Sequence, residues 1–322
     1  MLTSILSPMV LAFLLGIIAS RVKSDLKFPD SLYQSLTIYL LIAIGMKGGY
    51  KLSIATFSEV VQPAIVAIGL CCSIPLWTYW LMRKAGKFDV YNAAALAAHY
   101  GSVSAVTFSA ALAFHETLGI SFEGFMPSML AMMEIPAILI GISLARFNSP
   151  TNDTGQEVPL KEIARELIAG KSSLLLLGFL VIGFLVGKSG WEQVSPLFDV
   201  PFKGVLTLFL LEAGLIAGKK LSDFRKGGLF LIGFGIIFPI LHAVIAIYLG
   251  QLASLSLGGS TILGVLAASA SYIAAPAACR VALPEANPSY YLTAALAITF
   301  PFNIMLGLPL YHEIAKLIFA TH

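Results

Sequence analysis

Long apolar runs alternate with short polar segments along the whole chain. A helix of about 17 to 25 mostly apolar residues crosses a bilayer, and the pattern predicts ten such helices, numbered here as spans 1 to 10. They cover residues 3–20, 31–47, 60–82, 91–114, 125–145, 172–187, 202–218, 228–250, 260–282 and 290–311. The sequence therefore predicts an all-α polytopic membrane protein with ten transmembrane helices.

Composition points to the same class. Of the 322 residues, 58% are hydrophobic and 11% are charged, and the mean hydropathy is +0.88, whereas about a quarter of the residues of soluble domains are charged. The basic residues are scattered over short loops, so no nucleic-acid-binding patch is expected. The three cysteines, Cys71, Cys72 and Cys279, lie in apolar runs and are expected to be buried hydrophobic residues rather than disulfide or metal ligands.

The basic residues also predict the orientation of the chain. Five of the 20 Lys and Arg residues fall on the side of the two termini: Lys47, Lys51, Lys188, Lys203 and Lys316. The other fifteen fall on the opposite side, which the positive-inside rule identifies as the cytoplasm. The chain is therefore expected in a cell inner membrane as a multi-pass protein with both termini outside.

The longest loop, residues 148–171, is then cytoplasmic. Its second half places Leu160, Ile163, Ala164 and Leu167 on one helical face with charged residues opposite, which predicts a short helix along the membrane surface. A plain interfacial linker and a docking segment for a regulatory partner are both compatible with this pattern.

The two halves of the chain resemble each other. "LIAIGMKGGYKLS" at 41–53 aligns with "LLEAGLIAGKKLS" at 210–222, and "LAAHYGSVSA" at 96–105 aligns with "LAASASYIAA" at 266–275. A third match joins "EIPAILIG" at 134–141 to "TFPFNIMLG" at 299–307. Since the matches fall in spans 2, 4 and 5 and in spans 7, 9 and 10, they predict a five-plus-five inverted repeat, a signature of secondary transporters.

The predicted domains are accordingly 1–147 and 172–322, joined by the loop 148–171. Spans 4 and 9 each carry a polar interruption at mid-depth, followed in span 9 by Pro276. Irregular backbone at that depth persists only where it lines a cavity or is buried in protein. Spans 4 and 9 are thus predicted to be interrupted helices that cross at the membrane midplane.

Such a crossing aims helix N-termini at one point, which favours an anion. The predicted substrate-binding residues are Gly101, Ser102, Val103, Ser104, Thr107, Ser269, Ala270, Ser271 and Tyr272. The alternative is that the small polar residues among them merely allow close packing of helices.

At these positions the chain resembles the sodium-dependent bicarbonate transporter family best known from cyanobacteria. The pattern G-x-V-S-x-x-T matches at Gly101, Val103, Ser104 and Thr107. In the second half the matching residues are Ala267, Ala268, Ser269, Ser271, Ile273, Pro276, Arg280 and Pro284. The resemblance extends from about residue 28 to 311.

The resemblance implies ten helices in two inverted halves, a homotrimer, and a core domain that moves against a gate domain. It also implies symport of bicarbonate with sodium, the anion being held by backbone amides and hydroxyls of the two interrupted helices. Some members bind a small cytosolic PII-like protein, which is a candidate partner here. Beyond Na⁺ as a coupling ion, no cofactor is expected.

Several positions depart from the family pattern, among them Ala274 and Ala275, which stand where the family has a serine and a glycine. Tyr272 in "SASYIAAP" replaces an aspartate, Lys47 in "GMKGG" replaces a threonine, and His99 has no counterpart. Because a phenol is a poor substitute for a carboxylate as a sodium ligand, one hypothesis is that the Lys47 ammonium replaces a bound sodium ion. The alternative is that Lys47 extends to the outer surface from the end of its helix.

Two carboxylates within predicted spans complete the set of coupling candidates. Glu134 precedes Pro136 in span 5, and Glu212 lies in span 7. A carboxylate in a membrane interior can carry protons or pair with a cation. The predicted coupling residues are Lys47, His99, Glu134 and Glu212, with structural roles as the alternative for each.

The sequence leaves four functions open. The leading one is secondary active transport of a small anion, bicarbonate by resemblance, through an elevator-like alternating-access mechanism. A cation/proton antiporter also uses crossed helices but needs carboxylates at the crossing, and a carrier of another organic anion is the further alternative. An intramembrane enzyme built on His99 with Ser102 or Ser104 has little support, because these residues are neighbours on one span and no G-x-S-x-G motif is present; the chain is not expected to be an enzyme.

Overall fold

The computed structural model describes residues 7–149, 158–220 and 228–321, and in these ranges it contains helices and no strands. The helices are α1 Pro8–Arg21, α2 Asp30–Ile54, α3 Phe57–Lys84, α4 Val90–Gly101, α5 Ala105–Thr117, α6 Met126–Asn148, α7 Leu160–Ala169, α8 Lys171–Phe198, α9 Phe202–Lys220, α10 Gly228–Leu252, α11 Leu257–Ala268, α12 Ala274–Ala282 and α13 Pro288–Ala320. Within the described ranges six helical stretches are long and apolar enough to cross a membrane. The prediction of an all-α membrane protein is confirmed at this level.

Several helices extend beyond their predicted ends, α8 and α13 the furthest. Span 6 was expected to end at residue 187, but α8 continues to Phe198 after a backbone break at Gly187, where φ is +58°. Glycine adopts this left-handed conformation without a Cβ penalty, so the chain kinks and then resumes its helix. Span 10 was expected over 290–311, whereas α13 spans 33 residues and includes two π-helical stretches, Thr293–Thr299 and Asn303–Gly307.

The helices pack as two groups. The four-helix group consists of two pairs, α1 packed along α9 and α2 packed along α8. Contacts between α2 and α9 join the two pairs. Small residues permit these close approaches: a Cβ on Gly49 of α2 would collide with the carbonyl oxygen of Leu180, and one on Gly214 of α9 would collide with the carbonyl oxygen of Phe13.

The crossing group consists of α3 to α6 and α10 to α13. In it α3, α4 and α6 pack on one another, as do α10, α11 and α13. Contacts between the two groups are made chiefly by α2 with α6 and α5, by α8 with α6, and by α9 with α13 and α5. The two groups therefore meet along one interface.

The short helix expected in the second half of the 148–171 loop is present as α7. Its Ile163 and Leu167 side chains are buried, and the helix packs against α6, α8 and α12. Leu160, predicted on the same face, is 37% exposed because it lies at the first turn. The part of this loop at 150–157 lies outside the described residues.

Candidate functional site

The first helix break, residues 102–104, separates α4 from α5. Ser104 is the N-cap of α5: its hydroxyl oxygen accepts hydrogen bonds from the Thr107 N–H at 3.2 Å and from the Thr107 hydroxyl at 3.0 Å. The Ser102 hydroxyl donates to the backbone carbonyl of Glu134 at 2.8 Å, which ties the break to α6. Serine and threonine at such positions satisfy backbone groups that a broken helix leaves unpaired.

The second break, residues 269–273, separates α11 from α12 and lies directly against the first. The Ser104 N–H donates to the Ser269 hydroxyl at 2.9 Å. The Ser271 N–H donates to the carbonyl oxygen of His99 at 2.8 Å. The two interruptions therefore lie where the sequence predicted them and hold each other through hydrogen bonds.

A small cavity, the first cavity, lies where α5 and α12 begin. Its volume is about 20 Å³, which is space for roughly one water molecule. Its lining consists of Thr37, Leu40, Leu41, Ile44, Val103, Ser104, Ala105, Val106, Ser109, Glu134, Ser172, Phe209, Ser271, Tyr272, Ile273 and Ala274. The first N–H groups of a helix lack partners within it, and its N-terminus carries partial positive charge, so a cavity between two N-termini favours an anion.

Tyr272 adds a side-chain donor to this wall. Its hydroxyl is buried and makes no hydrogen bond of normal geometry to the described residues, and its ring packs edge-on against Phe300 with centroids 5.2 Å apart. A buried phenol normally finds a partner. The O–H lies near the Ser104 side chain, and both hydroxyls are on the wall where an anion would bind.

Glu134 places a carboxylate on the wall of the first cavity. Its Oε1 accepts a hydrogen bond from the Ser172 hydroxyl of α8 at 3.1 Å, and the hydroxyls of Thr37 and Ser109 share the same lining. Oxygen ligands of this type suit a hard cation such as Na⁺ or a proton. The sequence did not single out Ser172, Thr37 or Ser109, because each resembles the serine or threonine of an ordinary membrane helix.

A second cavity adjoins the first on the side of α7. It has a volume of about 220 Å³ and shares Ser172, Ile273 and Ala274 with the first. Its other lining residues are Ile163, Glu166, Leu167, Gly170, Lys171, Ser173, Ala277 and Ala278. The two cavities are therefore neighbours that share part of one wall.

The nine predicted substrate-binding residues divide into two sets. Those that line the first cavity are Val103, Ser104, Ser271 and Tyr272. Those that are buried behind it are Gly101, Ser102, Thr107, Ser269 and Ala270. The second set supports the breaks, partly through the hydrogen bonds described above and partly through close packing: a Cβ on Gly101 would collide with the ring of Pro75.

Lys47 is not brought to the crossing. Its ammonium pairs with Asp199 at 2.8 Å and with Glu116 at 3.4 Å, and its side chain is 37% exposed. Lys203 pairs with the other carboxylate oxygen of Glu116 at 3.4 Å. This position agrees with the alternative that Lys47 extends toward a surface from its helix.

His99 and Glu212 also lie outside the lining of the first cavity. The His99 ring is fully buried, its Nδ1 is 2.6 Å from the carbonyl oxygen of Ala95, and it stacks on Tyr291 at a centroid distance of 4.4 Å. The imidazole makes no hydrogen bond to the hydroxyl of Ser102 or of Ser104, which the enzyme hypothesis would require. Glu212 is 8% exposed, and its Oε2 has no hydrogen-bond partner among the described residues.

Comparison with known protein families identifies the family to which the chain is similar. The profile of one protein family, described as the Na+-dependent bicarbonate transporter superfamily, matches residues 8–316. The match covers nearly the whole chain and includes both helix breaks and both cavities. No curated protein matches the chain.

Proposed function

Because this chain belongs to the Na+-dependent bicarbonate transporter superfamily, we propose that it is a secondary active transporter of a small anion, with bicarbonate as the first candidate. The observation that carries the proposal is the first cavity between the N-termini of α5 and α12. Residues 103–106 and 271–274 from these N-termini form much of its wall. Backbone N–H groups and helix dipoles directed at one point bind an anion without a charged side chain.

The proposed anion also accepts a hydrogen bond from the Tyr272 hydroxyl. Bicarbonate is larger than the 20 Å³ of the first cavity, so binding requires its walls to separate slightly. The adjoining 220 Å³ cavity provides the route by which the anion arrives or leaves. In the proposed orientation this route leads to the cytoplasm, since fifteen of the 20 Lys and Arg residues lie on that side.

The proposed architecture is ten spans in two inverted halves, with α4 and α5 forming one span and α11 and α12 another. Helix pairing supports this symmetry, because α1 packs along α9 in the same way as α2 packs along α8. The aligned glycines support it as well: Gly45 and Gly214 occupy equivalent positions in the matching repeat segments. A Cβ on either would meet a backbone carbonyl oxygen of the paired helix, that of Leu176 in α8 or that of Phe13 in α1. Such symmetry is the basis of alternating access, here by movement of the crossing group past the four-helix group.

Glu134 is the proposed coupling residue. A carboxylate beside a bound anion repels it unless a cation or a proton neutralises the carboxylate. Binding of Na⁺ or H⁺ at Glu134 and Ser172 would therefore favour binding of the anion. The sodium dependence, the homotrimer and the PII-like regulator stay predictions from the family resemblance.

A cation/proton antiporter is the second candidate, and Glu134 on the cavity wall is the observation that favours it. The helix N-termini oppose it, since their partial positive charge disfavours a cation. None of the residues in the two breaks, 102–104 and 269–273, carries a carboxylate that would offset this charge. Anion transport is therefore the better supported function.

The test is uptake of labelled bicarbonate into proteoliposomes under an inward Na⁺ gradient, an inward H⁺ gradient, or no gradient. Uptake above that of protein-free liposomes in a gradient arm supports the proposal, and the arm identifies the coupling ion. Competition by unlabelled formate, acetate and nitrate defines the anion class. Monodisperse protein that takes up no bicarbonate in any arm would contradict it.

A further inference from the structure

Four charged side chains form a cluster at one end of the group interface. This cluster, here the outer cluster, consists of Lys47, Glu116, Asp199 and Lys203. Its N–O distances are 2.8 Å for Lys47 with Asp199, 3.4 Å for Lys47 with Glu116 and 3.4 Å for Lys203 with Glu116. The four side chains are between 35% and 47% exposed, so the pairs are partly hydrated and reversible.

The members of the outer cluster belong to different helix groups. Lys47 on α2, Lys203 on α9 and Asp199 at the end of α8 are part of the four-helix group. Glu116, near the end of α5, is part of the crossing group. Both ion pairs of Glu116 therefore join the two groups, whereas the pair of Lys47 with Asp199 stays within one.

Helix α5 connects the outer cluster to the first cavity. Ala105 at its start lines the cavity, and Glu116 follows eleven residues later, about 16 Å along a helix that rises 1.5 Å per residue. The helix contains neither glycine nor proline. A displacement of the cavity wall relative to α2 and α9 is therefore transmitted to Glu116, and pairs with N–O distances of 3.4 Å do not survive a shift of several ångströms.

The two lysines stand beyond the first cavity, on the side opposite to the second cavity. Ile44 lines the first cavity, and Lys47 lies one helical turn farther along α2. The second cavity lies toward the start of α2, where Lys171 on its wall donates to the Gln34 side-chain oxygen at 3.2 Å. The second cavity and the outer cluster are thus at opposite ends of the site.

We propose that Glu116 is a latch that holds the crossing group in the present conformation and neutralises Lys47 and Lys203. The inference rests on the proposed alternating access. When the crossing group moves and the site opens toward the outer cluster, Glu116 leaves both lysines. Their ammonium groups then face the new entrance and attract an anion, because like charges lining an opening raise the local concentration of an oppositely charged ligand.

The chain supplies matched controls for this latch. Glu116→Gln removes the ion pairs that join the two groups. Asp199→Asn also removes a carboxylate partner of Lys47, but that pair lies within the four-helix group. Glu192→Gln removes an exposed carboxylate whose partner, Lys188, is on the same helix at 3.7 Å. Each of the three substitutions removes one negative charge. They differ in whether the removed carboxylate connects the two helix groups.

The readout is a buried cysteine on the group interface, which the proposed movement is expected to expose. Ala110 is 4% exposed and lines an apolar crevice of about 140 Å³ between α1, α5, α9 and α13. Ala110→Cys is introduced into full-length protein whose Cys71, Cys72 and Cys279 are replaced by alanine. The labelling rate by a small hydrophilic thiol reagent then follows the population of the alternative conformation, whether or not the protein carries bicarbonate.

An exposed ion pair shifts an equilibrium by about 1.4- to 5-fold, so loss of both Glu116 pairs should raise the labelling rate about 2- to 25-fold. Asp199→Asn and Glu192→Gln should change it less than about 2-fold. The increase should shrink in high salt, which screens exposed pairs. An unchanged rate in Glu116→Gln, or an equal increase in Asp199→Asn, would overturn the latch.

A second measurement uses the natural cysteines and is independent of the reporter. Lys203→Gln should raise the KM for labelled bicarbonate supplied from the outer-cluster side at low salt, and the difference from the unaltered protein should vanish at high salt. A KM that is unchanged at low salt would contradict the attraction of the anion by the lysines. Absence of uptake by the unaltered protein would contradict the proposed function alone. The labelling rates would still test whether Glu116 acts as a latch, because they do not depend on transport of bicarbonate.

Discussion

Replacement of Ser269 by alanine tests the contact between the two helix breaks. The Ser269 hydroxyl accepts the Ser104 N–H at 2.9 Å and donates to the Leu266 carbonyl at 2.8 Å. In Ser269→Ala the Leu266 carbonyl keeps the hydrogen bond from the backbone N–H of residue 269 at 3.1 Å. The Ser104 N–H loses its acceptor at a position that is 4% exposed.

An unsatisfied buried donor costs about 1 to 3 kcal/mol, so Ser269→Ala should lower the free energy of unfolding by about that amount. Ser143→Ala is the matched control. Its hydroxyl donates to the Leu139 carbonyl one turn earlier at 2.8 Å, and the loss of this donor leaves no buried N–H unpaired. Unfolding of both variants by SDS in mixed micelles gives the comparison, and equal stabilities for the two would refute the role of the hydroxyl.

Three further substitutions test the site and the fold. Tyr272→Phe removes the phenol O–H and should weaken bicarbonate binding about 10- to 100-fold, since a hydrogen bond to a charged group contributes about 1.5 to 3 kcal/mol. The control is Tyr39→Phe, which should leave the affinity unchanged in the same titration because the Tyr39 hydroxyl donates to a carbonyl within the four-helix group. Glu134→Gln should abolish the response of uptake to the coupling gradient, and uptake that still follows the gradient would exclude Glu134 as the coupling residue. Gly49→Ala should lower the free energy of unfolding by about 1 to 3 kcal/mol because its Cβ meets backbone, whereas Gly178→Ala, with open space around it, should be neutral in the same SDS titration.

Helix positions and helix breaks were largely predictable from the sequence. Apolar length alone located most helices, and the clustering of small polar residues within two apolar runs located the breaks at 102–104 and 269–273. The end of α8 was missed because Lys188 and Glu192 interrupt the apolar run while the chain remains helical. An apolar pattern records where a helix can lie in lipid, not where its hydrogen bonds end.

The lining of the first cavity was predictable only in part. Helix rotation decides whether a hydroxyl in a break faces the cavity or a neighbouring helix, and this rotation depends on packing against distant residues. Ser102 turns toward α6 while Ser104 lines the cavity, although only one residue separates them. The partners of Lys47 could not be predicted from the sequence either, since Glu116 and Asp199 are 69 and 152 residues away along the chain.

Substrate protection of a cysteine in the first cavity tests the central claim most directly. Val103→Cys places a thiol on its wall, and Ala277→Cys places one in the second cavity only; both are made in the protein with its natural cysteines replaced by alanine. If the anion is held between the N-termini of α5 and α12, saturating bicarbonate should slow labelling of the thiol at position 103 several-fold and leave labelling at position 277 unchanged. Equal labelling at position 103 with and without bicarbonate, in a variant that still transports bicarbonate, would contradict the account.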